Sequence, residues 1–162
     1  QKVDVDTSRL VYYSQTEMEI VAYLAQLYQR CGKYKEGIEL IEIIAKKMKH
    51  SRLGYEDQWN GFSFLFLVLS SLYFAIGEYD KAIRIAEYVK SNMLKRKEGA
   101  NLSVVFDEIA DNLEHKGEQY SEEYKKLYRY TYYVADFYGI QDAIDFAKKY
   151  YEEKFNSDMK WY

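Results

Sequence analysis

Three carboxylates, Asp107, Asp111 and Glu114, follow one another at i, i+4 and i+7, the spacing that sets them on one face of a helix. Paired carboxylates can run general acid–base chemistry when a nucleophile or a substrate pocket accompanies them. Nothing nearby supplies a nucleophile with its base, so an acidic binding surface explains the row better than catalysis. His115 adjoins the row, but the other histidine, His50, lies 65 positions away with no regular ligand spacing, and no metal site is expected. Cys31, the single cysteine, has no partner thiol and no evident activating base, and reads as a half-buried small residue beside a turn. Asp4 to Thr7, DVDT, has the letters of a phosphotransfer aspartate segment, yet no apolar strand precedes it and no α/β pattern follows. Asn101-Leu102-Ser103 matches a glycosylation sequon that matters only in a secreted protein. No glycine loop could cradle a phosphate. The expectation is a protein that is not an enzyme and uses neither cofactor nor metal.

Composition narrows the partners. The chain has 162 residues, 48% of them apolar and 30% charged, with a formal net charge of -3. That length suits one ordinary domain with a substantial core. Basic residues are spread along the chain, which lacks the electrostatic footprint of a nucleic-acid binder. The longest apolar run, Phe62 to Ile76, is broken by serines and is shorter than the roughly 20 residues that span a bilayer. The opening QKVDVDTSRL has no apolar core of the signal-peptide kind. One cysteine cannot form an internal disulfide, and a reducing cytoplasm is the expected location. Because the chain opens on Gln1 rather than Met, an excised fragment or processed product is expected.

The elements that position these residues are helices, since the chain has no proline and only eight glycines and its apolar residues recur with helical spacing. Ile20, Val21, Leu24, Leu27 and Tyr28 predict a first helix over about 16–31, with Thr16 and Glu19 as its capping box. Gly32 turns the chain. Ile38, Leu40, Ile41 and Ile44 carry a second helix to the basic run KKMKH, a favourable helix C-terminus. The pattern then repeats. An apolar helix over about 57–76 turns at Gly77, and Ala82, Ile83, Ile85, Ala86 and Val89 build its partner. A third pair runs from about 102 through Gly117, where Ser121 caps the next helix, to Tyr138. A final amphipathic helix occupies about 141–155. The turn glycines at 32, 77 and 117 are 45 and 40 residues apart, which predicts stacked helical hairpins sharing a continuous core. The expected fold is all-α: a single domain, a right-handed superhelix of about three hairpins (about 16–49, 57–97 and 102–138) closed by a C-terminal capping helix.

The hairpins resemble tetratricopeptide repeats. With the turn glycine as position 15, the first supplies Val21, Leu24, Ala25, Tyr28, Gly32, Tyr34, Gly37 and Ile41 at motif positions. The second supplies Phe66, Leu69, Ser70, Tyr73, Gly77, Tyr79 and Ala82. The third supplies Phe106, Ile109, Ala110, Leu113 and Gly117 and then departs from the pattern; the motif's terminal proline is absent throughout. A narrower likeness rests on SQTEMEIVAYLAQLYQRCGKY near the start and YTYYVADFYGIQDAIDFAKKYYEEKF near the end. These segments resemble the C-terminal domains of peptide-responsive regulators of the Rgg/PlcR/NprR type from low-GC Gram-positive bacteria. That resemblance implies a sensor that binds a signalling peptide, forms a homodimer, and acts on nucleic acid only through an N-terminal helix-turn-helix domain, which is expected to have been removed from this chain.

If the first helix of each hairpin lines a concave face, the groove is built from Tyr23, Gln26, Gln29 and Arg30, then Leu67, Ser71 and Phe74, then Asp107, Asp111 and Glu114. Glu19, Ala22, Phe64, Val68, Ala75, Val104, Glu108 and His115 fall at the remaining inward positions. The groove would be polar at one end, apolar in the middle and acidic at the other, suited to an extended peptide with apolar and basic side chains. The apolar middle could equally pack on a second subunit. Tyr23, Val68 and Glu108 stand where relatives use an asparagine to hold peptide backbone. Of the clustered Tyr128, Tyr130, Tyr132 and Tyr133, core packing is expected over recognition. A constitutive interaction adaptor without a link to DNA is the alternative function.

Overall fold

The computed structural model describes residues 14–49, 59–96, 102–117 and 122–155. Seven helices make up nearly all of them: α1 (Gln15–Arg30), α2 (Tyr34–Lys49), α3 (Trp59–Ala75), α4 (Tyr79–Arg96), α5 (Leu102–His115), α6 (Glu122–Tyr138) and α7 (Gln141–Phe155). There is no strand among the described residues. The protein is all-α, and the helices predicted over about 16–31, 57–76 and 141–155 lie within two residues of their observed bounds, while α2 and α4 begin at Tyr34 and Tyr79, just past their turn glycines. The DVDT segment, His50, Asn101 and the Ser121 cap lie outside the described residues.

Two compact units divide the chain, Gln1–Ile76 and Gly77–Tyr162. In the first, α1, α2 and α3 pack against one another. α1 contributes Met18, Ala22 and Ala25, all 0% exposed. α2 turns Ile38, Ile41 and Ile44 inward, and α3, apolar on most sides, buries Phe62, Leu65, Val68, Leu69, Leu72 and Tyr73. The Tyr73 hydroxyl donates to the Glu42 carboxylate, which joins α3 to α2. Gly37 on α2 must be small. A Cβ there would meet the Leu72 methyls at 3.2 Å and the Ala25 carbonyl oxygen at 3.3 Å, so its missing side chain is what lets the three helices approach.

The cap of α1 lies two residues before the expected one. Ser14, in extended conformation, takes a 3.3 Å hydrogen bond from the Glu17 N–H on its Oγ, and its own N–H donates to Glu17 Oε2 at 2.7 Å. This is a capping box. Glu19, assigned that role from sequence, instead accepts from Gln15 Nε2 at 2.8 Å, and Thr16 lies inside the helix. At the other end Gly32 has φ +70°, and the Lys33 N–H reaches back to the Tyr28 carbonyl at 2.9 Å, closing the helix with a left-handed residue that glycine adopts without strain.

In the second unit each helix packs on the next, α4 on α5, α5 on α6 and α6 on α7. α4 buries Ala82, Ala86, Val89 and Met93, a single stripe. α5 is covered on two sides and buries Val105, Phe106, Ile109, Ala110, Asn112 and Leu113. α6 presents Tyr124, Leu127, Tyr128, Thr131 and Ala135, and α7 closes the unit with Ile144, Ala147 and Tyr151. Lys116, just past α5, pairs with Asp80 at 2.9 Å, and this contact holds the Asp80 carboxyl below the usual range.

Candidate ligand-binding faces

The residues expected to line one groove fall into two sets, one on each unit. On the first unit α1 and α3 lie side by side, and their inward positions meet. Gln29 Nε2 donates to Ser71 Oγ at 3.0 Å, and the Tyr23 ring stands edge-on to Phe64 with centroids 5.3 Å apart. Gln26, Leu67 and Phe74 are half-buried beside them, while Arg30 and Tyr23 are exposed. The result is a polar and aromatic surface over an apolar floor.

Two inward positions belong to that floor and not to the surface. Ala22 is 0% exposed and Val68 3%, because the small Ala22 shares a helix face with Met18 and Ala25 and Val68 falls within the nearly all-round buried stretch of α3. Neither can touch a ligand without the helices separating. Cys31 also departs from expectation: it is exposed at the end of α1.

On the second unit the acidic row of α5 runs antiparallel to a polar row on α6. Thr131 Oγ1 donates to Asp107 Oδ1 at 3.2 Å, and seven residues further along α5 the Tyr124 hydroxyl donates to Glu114 Oε2 at 2.9 Å. Tyr124 and Tyr128 share a hydroxyl contact of 3.2 Å. α7 adds Lys154, which forms an ion pair with Glu114 and lies 4.8 Å over the Tyr150 ring. A cation thus sits at one end of the row.

Charge follows that geometry. Burial pushes the Asp107 carboxyl up to about 7 against the pull of the Thr131 hydrogen bond, and the neighbouring Asp111 adds to the rise. Asp111 is likewise raised by desolvation and by Glu114. Burial would also raise Glu114, but the hydrogen bonds from Lys154 and Tyr124 and the lysine's charge outweigh it and hold the group low. Tyr128, 2% exposed, is shifted far upward by burial and stays a neutral phenol. Among the described residues no group of three His, Cys, Asp or Glu could hold a metal ion. His115 is engaged locally, with Nδ1 2.8 Å from the Asp111 carbonyl oxygen and its ring 5.8 Å from that of Tyr79.

Thr131, Tyr124 and Lys154 were not singled out from sequence, and Tyr128 was expected only to pack in the core. A usable signal existed for three of them: Tyr124, Tyr128 and Thr131 repeat the i, i+4, i+7 spacing of the acidic row. Core packing describes only Tyr128 within the tyrosine cluster, since Tyr130 and Tyr133 are 46% and 39% exposed. No helix among the described residues is long and apolar enough to cross a membrane. No family model matches the chain, and no curated protein matches it in sequence.

Proposed function

We propose that the chain is a ligand-sensing helical-repeat module of the tetratricopeptide kind. On this reading it is the peptide- or partner-binding and dimerisation domain of a bacterial transcription regulator. The observation that supports it most is the meeting of Gln29 with Ser71 and of Tyr23 with Phe64. Side chains of two sequence repeats converge there, leaving amide and hydroxyl groups beside half-buried Leu67 and Phe74. Amides bind peptide backbone, and apolar side chains between them give a ligand its anchor. On the second unit, the acidic row of α5 suits basic ligands.

Ligand binding would act by favouring one packing of the helices over another, which requires a difference in affinity between the two. Calorimetry with short apolar–basic peptides tests the reading. Binding by the wild type that is lost in Phe74→Asp supports it, whereas binding that persists unchanged in that variant puts the ligand elsewhere. A helix-turn-helix domain encoded immediately upstream in the genome would support the regulator, and its absence there would favour the adaptor.

A further inference from the structure

The first helix is apolar on two opposite sides. One side packs Met18, Ala22 and Ala25 against α2 and α3. The other carries Ile20, Leu24 and Leu27 at i, i+4 and i+7, exposed by 60%, 42% and 56%, with Tyr23 beside them at 57%. Single exposed apolar side chains are ordinary, but four together on one helix face mark a contact surface.

The order of residues along this face is self-complementary. Counting inward from both ends, Glu17 corresponds to Arg30, Ile20 to Leu27 and Tyr23 to Leu24. An antiparallel pair of such helices therefore sets Ile20 of one copy beside Leu27 of the other across a two-fold axis near Tyr23 and Leu24. It also brings the acidic first turn of each copy, with Glu17, alongside the basic last turn of the other, with Arg30. A parallel pair would set like charges together at both ends. We propose that this face is the contact between two copies of the chain, paired antiparallel through α1.

Area sets the strength. The four side chains offer roughly 400–500 Å² per copy, about half of the ~800 Å² that each partner contributes to a standard stable interface. A reversible, concentration-dependent dimer is the consequence. The dimer and ligand readings share Tyr23 but are tested separately, because Leu24→Glu acts on the dimer face alone and Phe74→Asp on the ligand face alone.

Sedimentation velocity of the full chain across a concentration series tests it. A reversible monomer–dimer equilibrium is expected, with Leu24→Glu raising the dissociation constant about tenfold or more and leaving the far-UV circular dichroism unchanged. Cross-linking fixes the orientation. In a Cys31→Ser background, an equimolar mixture of Ile20→Cys and Leu27→Cys chains should oxidise to linked pairs faster than Ile20→Cys alone, whose two thiols would stand roughly 10 Å apart along the helix axis. A wild type that remains monomeric at the highest concentration reached, a dimer indifferent to Leu24→Glu, or preferential linkage of Ile20→Cys to itself would each overturn the proposal.

Discussion

Replacing Asp107 by Asn should stabilise the second unit, and the gain should grow with pH. Asp107 is half-buried, receives one hydrogen bond, from Thr131, and faces the equally negative Asp111 one turn along α5, with no cation in ion-pair contact among the described residues. Its folded-state carboxyl sits at about 7 against an ordinary 3.8. An acid raised on folding binds its proton more tightly in the folded state. Stability is therefore unaffected by this group below pH 4, falls as pH rises from about 4 to 7, and stays reduced above 7. Three units at about 1.4 kcal/mol each set a ceiling of about 4 kcal/mol. Partial solvent access lowers this, and about 2 kcal/mol is the working figure.

Asn keeps the shape and can still accept from Thr131, but carries no charge. Urea denaturation followed by circular dichroism, run on both proteins between pH 4.5 and 8.5, should give nearly equal midpoints at the acid end and a midpoint for Asp107→Asn that pulls ahead with rising pH. Glu114 works in the opposite sense: its lowered carboxyl adds stability above the unfolded range that is lost on acidification. That contribution is common to both proteins and cancels in the comparison. A constant difference across the range, or a variant less stable than wild type at pH 8, would refute the reasoning.

Three further outcomes follow from contacts in each unit. Ser14→Ala removes the capping box and should cost about 1 kcal/mol in chemical denaturation, while Thr16→Ala, inside the helix, should be close to neutral. Gly37→Leu forces a side chain into Leu72 and the Ala25 carbonyl and should destabilise the first unit by about 1–3 kcal/mol, read as faster amide exchange in α1 to α3. Lys154→Met leaves Glu114 with Tyr124 as its donor, so its carboxyl should titrate higher by NMR. The stability lost, about 1 kcal/mol at neutral pH, should shrink on acidification.

Helices and turns were legible because local rules govern them. No proline, four glycines with φ between +67° and +84° and apolar spacing near 3.6 residues leave little choice of secondary structure. What sequence left open is which of two equivalent signals wins and which helix face is covered. Ser14–Glu17 and Thr16–Glu19 both have the capping spacing, and only the position of Met18, buried one turn inside α1, favours the first. Inward positions computed from a repeat do not distinguish Gln26, which stays half-exposed, from Ala22, which is buried. That difference depends on how closely α1 meets α3, and close approach is a property of both helices.

The two units treat polar groups on their inner helices in different ways. Gln29 and Ser71 form a neutral pair at a partly open face, where water can replace either partner and the cost of separating them is small. Asp107 and Asp111 face a wall of Thr131 and Tyr128, which are 1% and 2% exposed, and among the described residues the ion pair of this row is at its far end, where Lys154 holds Glu114. A carboxylate pair so placed is stabilised by any group that donates hydrogen bonds and carries positive charge. On the proposed reading, the first unit would exchange its contacts for those of a peptide backbone at little energetic cost, while the second would gain most from a cation set beside Asp107 and Asp111. A basic peptide should therefore lower the pH at which Asp107 titrates as it binds, and release protons to buffer near pH 7. Calorimetry in buffers of different ionisation enthalpy measures that release directly, and a binding enthalpy independent of buffer would show that the acidic row takes no part.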